Sequence, residues 1–169
     1  MKNIKSKDKK NINLIIRRME IEDLAEVFAL GERIFTSKSP NLYRTWDEYE
    51  LTEFFLSDSD LCLVAEANAK IVGFILGTTL SKYRSAWTYG NMTWLGVHNK
   101  YRKIGIANKL FNHLIDLMIK KGVRIVVADT EADNKLALDF FKKKGFGKIR
   151  KHVYMSMNLD NKSKSKNKT

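Results

Sequence analysis

Tyr101 to Asn108 reads Y-R-K-I-G-I-A-N, and of all stretches in this chain it is the one best made to hold an anion. The apolar run Met92 to Val97 precedes it and a helical pattern, Lys109 to Lys121, comes after. The physical reading is therefore a strand, a tight turn and the first turn of a helix. Such a turn gathers unpaired backbone N–H groups, the positive end of a helix dipole and the side chains of Arg102, Lys103 and Lys109 around one spot. Gly105 has no Cβ to obstruct a close approach, and Ala107 is the next smallest choice two residues on. The combination predicts a phosphate seat.

Other reactive side chains are sparse. His98 lies in the loop before the phosphate turn, where it either touches a phosphate or is simply solvated. His113 falls on the polar side of its helical pattern, and His152 starts a strand-like run. None stands at metal-ligand spacing from a Cys or an acid, so no metal site is expected. Cys62 sits in an apolar run with no histidine near it; it reads as buried packing rather than nucleophile or ligand, and as the only cysteine it cannot form an internal disulfide. No Ser, His, Asp arrangement rises above chance.

The elements that must position the turn can be read from hydrophobic period and breakers. Ile12 to Arg18 is apolar and β-branched, a first strand; Glu22 to Phe35 carries Leu24, Val27, Phe28 and Ile34 at helical spacing. Ser37, Ser39, Pro40 and Asn41 break that helix, and Thr45-x-x-Glu48 has the spacing of a capping box for a second one through about Leu56. Leu61 to Ala67 and Lys70 to Thr79 are strand-like runs joined at Asn68-Ala69, a hairpin signal, and Tyr89 to Val97 is a further strand. Beyond the turn, Ala107, Leu110, Phe111, Leu114, Leu117 and Met118 repeat at helical spacing until Gly122. Val123 to Ala128 is nearly all apolar, as a strand buried on both faces would be. Asp133 or Asn134 then opens a short helix, with Ala137, Leu138, Phe140 and Phe141 inward, ended by Gly145. Gly147 to Asn158 reads as a final hairpin-like pair. The order β-α-α-β-β-β-α-β-α-β-β predicts a mixed α/β (α+β) domain: a mostly antiparallel central sheet flanked by helices, with a strand-helix-strand crossover around the phosphate turn.

Length and charge bound the rest. The 169 residues, 44% hydrophobic and 11% aromatic, suit one domain over residues 11–159. The net charge of +12 is partly terminal: residues 1–10 carry +4 and residues 160–169 carry +3, leaving +5 for the remainder. Both ends are Lys-, Asn- and Ser-rich and are expected to be disordered tails, giving solubility or a weak, salt-dependent attraction to nucleic acid. No apolar stretch approaches the ~18 residues of a membrane helix, and the polar start lacks a secretory apolar segment, so no membrane partner and a cytoplasmic location are expected. Monomer and homodimer both stay open.

Two signatures carry a family resemblance. Arg102-x-x-Gly105-x-Ala107 matches Q/R-x-x-G-x-G/A, and Asn134-x-x-Ala137-x-x-Phe140-Phe141-x-x-x-Gly145-Phe146 matches N-x-x-A-x-x-L/F-Y-x-x-x-G-F except at Phe141. In this order, on predicted strand, turn and helix, they resemble the GCN5-related N-acetyltransferase (GNAT) superfamily over roughly residues 12–159. The nearest likeness is to ribosomal-protein alanine acetyltransferases and other protein N-acetyltransferases.

The resemblance implies acetyl-CoA as co-substrate. Its pyrophosphate would lie on the backbone N–H groups of Lys103, Ile104, Gly105, Ile106, Ala107 and Asn108, beside Arg102, and its pantetheine arm on the strand edge at Leu95, Gly96 and Val97, near Asn134 and Phe141. Polarisation of the carbonyl would fall to a backbone N–H near Leu95 or Gly96. Asp129, where relatives hold a Glu or His base, is the candidate general base, with a solvated carboxylate or helix cap as the plain alternative; Glu131 is the substitute base. Phe141 stands where many relatives have a Tyr that protonates the departing thiolate, leaving that task to water or Tyr154. The acceptor would be a primary amine of a protein or peptide, at an N-terminus or a lysine. The alternatives are a polyamine or other small amine, and a non-catalytic CoA-binding sensor. Tyr43, Trp46, Asp47, Glu48, Glu50 and Glu53 would wall the acceptor side, unless the acids are only a solvated helix face.

Overall fold

The computed structural model describes residues 13–35, 45–81, 87–151, 153 and 155. They fall into two compact units, Met1–Asp129 and Thr130–Thr169. The first holds β1 (Leu14–Arg18), α1 (Leu24–Phe35), α2 (Glu48–Asp58), β2 (Cys62–Ala67), β3 (Lys70–Ser81), β4 (Thr88–Val97), α3 (Ile106–Lys120) and β5 (Val123–Ala128). The second holds α4 (Lys135–Lys143).

The strands form one sheet in the order β1-β2-β3-β4-β5, antiparallel up to β4 and parallel between β4 and β5. A parallel pair needs a long crossover, and α3 supplies it. Its stripe of Ile106, Leu110, Leu114 and Met118 is essentially inaccessible, so the helix is held rigidly under the sheet. The hairpin after β2 is as tight as its sequence predicts: Ala67 pairs with Lys70, and Asn68 and Ala69 both take positive φ, 52° and 58°. Alanine is strained in that left-handed region, which glycine enters freely. Ala69→Gly is therefore expected to stabilise the domain by about 0.5–1 kcal/mol, seen as a raised midpoint in urea at unchanged slope.

Several local expectations are corrected. The second helix is capped not by a Thr45–Glu48 box but by Asp47, whose carboxylate accepts the Glu50 amide at 2.7 Å. β5 is not buried on both faces: Val123 is buried, but Arg124 and Val127, which point to opposite faces, are exposed, and among the described residues the strand pairs with β4 alone. At the chain's end, residues 147–151 adopt neither helix nor strand, and most of the expected final pair, with Pro40 and the loop around it, lies outside the described residues.

The core between α1, α2 and the sheet is aromatic. Trp46 donates its indole N–H to the Phe28 carbonyl at 3.0 Å and lies 5.1 Å from the Phe74 ring and 5.2 Å from that of Trp94. Gly31 makes this possible, since a Cβ there would come within 2.1 Å of the Trp46 ring. Cys62 is buried in the same cluster, and burial, helped by the Asp58 charge, pushes its thiol up to about 12. It is a packing residue. No helix among the described residues is long and apolar enough to cross a membrane.

Candidate active site

The site begins where two parallel strands part. β4 and β5 pair from Thr88↔Val123 to Met92↔Ala128, and there the ladder ends. β4 continues for five more residues against β3 alone, through Ile75↔Leu95, Phe74↔Gly96 and Gly73↔Val97. Its other side, Thr93–Val97, faces no strand among the described residues. Gly96 is tightly packed: a Cβ there would meet the side chains of Phe74 and Ile34 at 3.0–3.1 Å, which would have to give way. Asp129, exposed, is the first residue after the last rung.

The chain then enters the predicted turn. Tyr101 N–H donates to the His98 carbonyl at 2.8 Å, and Arg102 Nε donates back to the Val97 carbonyl at 3.2 Å. Lys103 and Gly105 take positive φ, 64° and 89°. Gly105 caps α3, and no side chain closes that end. The amides of Ile106, Ala107 and Asn108 have no intrahelical acceptor, as in the first turn of any helix, and the helix dipole adds partial positive charge. Ile106 is buried, so it can offer only its backbone. A Cβ on Gly105 would meet nothing within 4 Å. Among the described residues, nothing crowds the Gly105 end of α3.

Charge agrees with this. The His98 imidazole is held below its usual range, first by burial and then by the nearby charges of Lys100, Arg33 and Arg102. Lys103 and Lys109 are exposed beside the same turn. The local field favours a polyanion.

The second signature proves to be a helix with two finished ends. Asn134 caps α4, accepting the Ala137 amide at 3.2 Å and donating from Nδ2 to Thr130 Oγ1 at 3.1 Å. At the other end Gly145, at φ 88°, donates to Lys142 and Phe146 donates to Phe141, the paired bonds of a Schellman motif. The Phe141 and Phe146 rings meet at 5.1 Å, the hydrophobic contact that accompanies it. Thus N-x-x-A and G-F are read here as cap and stop, and Phe141 serves packing. Glu131 is exposed and its carbonyl accepts the Asn134 amide. Tyr154 lies outside the described residues.

The chain matches the profile of the acetyltransferase (GNAT) family over residues 31–146. It belongs to that family. It is accordingly an N-acetyltransferase that uses acetyl-CoA, and the uncapped turn and open Gly105 fit that donor. Among solved structures it is similar to the aminoglycoside N-acetyltransferase AAC(6')-Iy in complex with CoA, with TM-score 0.70 at 16% identity over 88% of this chain and 97% of that one. It is similar to a NatC complex bound to Gag peptide and CoA, with TM-score 0.69 at 22% identity over 81% and 86%. Ard1 from Thermoplasma volcanium gives 0.67 at 20% identity over 79% and 82%. At such identities the likeness is one of fold.

The expected acceptor wall of this GNAT enzyme is only partly available. Trp46 is committed to the core, Asp47 to its cap, and Glu50 accepts the Trp94 indole N–H at 3.0 Å. Glu48 and Glu53 remain exposed, beside Tyr49 and Leu56, on the outer side of α2; Tyr43 lies outside the described residues. The side chain whose part in the site spacing alone did not reveal is His98, which caps the 3-10 turn Asn99–Tyr101 through an Nδ1 that accepts the Lys100 amide at 3.2 Å. Among the described residues no group of three or more His, Cys, Asp and Glu could hold a metal ion.

Proposed function

We propose that this enzyme transfers the acetyl group of acetyl-CoA to a primary amine of a protein or peptide. The diphosphate rests on the amides of the turn from Lys103 to Asn108, the pantetheine arm runs along Leu95–Val97, and Asp129 is the base. The observation that carries this reading is the parting of β4 and β5 at Met92↔Ala128, beyond which β4 has no second partner strand among the described residues between the anion seat and Asp129. A lone buried thiol without a disulfide partner suits a reducing compartment and supports work in the cytoplasm.

The acceptor decides how much a base matters. Attack on the thioester carbonyl forms the C–N bond, expels the thiolate and requires the amine to be neutral and then to lose a proton. A lysine amine with pKa ~10.4 costs roughly 4.6 kcal/mol to present neutral at pH 7, whereas an α-amine at ~7.7–8.0 costs only about 1–1.4 kcal/mol. A short carboxylate such as Asp129, reaching through one water, suits the lighter task. This supports a peptide N-terminus as the first acceptor to try. The second reading, a small polycationic amine, is supported by the exposed Glu48 and Glu53 and by the aminoglycoside enzymes among the similar folds.

Thiol release from acetyl-CoA, measured against peptide N-termini, lysine peptides and spermidine, separates these. The proposal expects the highest kcat/KM on a peptide. Faster turnover of spermidine than of every peptide would replace it with the small-amine reading.

A further inference from the structure

We propose that His98 is a positioning residue for the acetyl donor: its neutral ring shapes the turn that presents the diphosphate-binding amides, without itself touching the diphosphate. Three hydrogen bonds meet at this residue. Its backbone N–H donates to Val72 O at 2.8 Å, tying the end of β4 to β3. Its carbonyl accepts the Tyr101 amide at 2.8 Å, and its Nδ1 accepts the Lys100 amide at 3.2 Å. Its ring meets that of Tyr101 edge-on, 5.8 Å between centroids at 72°. With Arg102 Nε on the Val97 carbonyl, these contacts close the chain into a loop directly before Lys103.

Immediately beyond that loop the backbone turns to positive φ, at Lys103 and again at Gly105. One side of the seat is therefore set by the buried helix α3, and the other by the turn that His98 caps. An imidazole whose Nδ1 accepts a hydrogen bond carries its proton on Nε2 and is neutral. The charges that act on it are Lys100 on its own turn, Arg102 just beyond, and Arg33 from α1, all cationic, and they keep it so together with burial. A ring in that setting is suited to accept an amide rather than to supply charge to a phosphate.

The inference rests on the turn being the diphosphate seat, and the experiment keeps the two apart. CoA binding by calorimetry and steady-state kinetics are compared for wild type, Gly105→Val, His98→Ala and His98→Asn. Loss of the cap in His98→Ala is expected to weaken CoA about fivefold, the scale of one lost helix cap, and to raise KM for acetyl-CoA with kcat little changed. Asn offers an oxygen in the same place and is expected to restore most of the affinity. Wild-type affinity should also weaken, relative to His98→Asn, as pH falls through the imidazole pKa and Nδ1 stops accepting. Normal CoA binding by His98→Ala, or by the wild type a tightening in acid that His98→Asn lacks, overturns the proposal; the second result would make His98 a direct charge contact. Should His98→Ala fail to fold, the pH comparison with His98→Asn still decides. If Gly105→Val binds CoA normally, it is the seat that has been misplaced.

Discussion

Gly105→Val is expected to lose at least about 100-fold in affinity for acetyl-CoA while remaining folded, because two or more charge-assisted hydrogen bonds of ~1.5–3 kcal/mol each would be blocked. Strain and obstruction act separately at this position. At φ 89° and ψ 2° any Cβ is disfavoured, and this costs about 1–2 kcal/mol of stability whatever binds. A Cβ there would meet no atom within 4 Å beyond its chain neighbours, so the fold leaves open space where the branched side chain begins. A ligand seated on the amides of Ile106–Asn108 is expected to meet it. Gly122, at the other end of α3, supplies the control: it too has positive φ, 77°, and open space where a Cβ would go. Gly122→Val should lower the melting temperature by a similar amount and leave CoA binding intact. Near-normal affinity in a folded Gly105→Val protein would remove the diphosphate from this turn.

The features legible in the sequence were local ones. The strand, turn and helix around Gly105 depend on residues within five positions of one another, and so do the cap at Asn134 and the stop at Gly145, which is why these elements lie where the sequence puts them. Pairings across the fold were not legible in the same way. Trp46 and Glu50 looked like candidates for an acceptor wall, yet Trp46 reaches back to Phe28 and Glu50 forward to Trp94. Asp58, nearly buried, holds the amide and hydroxyl of Thr79 and the ammonium of Lys121, 63 residues away, and no periodicity announces such a contact. The burial expected of β5 failed for a related reason: an apolar run reports a preference for burial, while what covers the two faces of a strand is a property of the whole fold. His98 lay between these cases. A histidine two residues before an amide it can cap is a local feature, but histidine is seldom read as a cap.

Asp129→Asn is expected to lower kcat/KM by about 10²–10⁴ on a lysine peptide and by less on a peptide N-terminus, the range general bases contribute. Asparagine keeps the shape and can still accept a hydrogen bond, but it cannot take a proton from the amine. The variant must therefore rely on amine that has already lost its proton in solution, and its rate should rise about tenfold per pH unit until the amine's own pKa is reached. In the wild type the carboxylate relieves part of that dependence. The deficit should accordingly be largest in acid and shrink toward the amine pKa, near 8 for an α-amine and near 10.4 for lysine. The position supports this role: Asp129 is exposed and directly succeeds the last rung between β4 and β5, beside the strand edge proposed for the thioester arm. Glu131→Gln is the companion variant. If Asp129→Asn keeps the wild-type pH–rate profile while Glu131→Gln loses it, the base is Glu131; if neither changes the profile, the proton leaves through water and no carboxylate of this segment acts as the base.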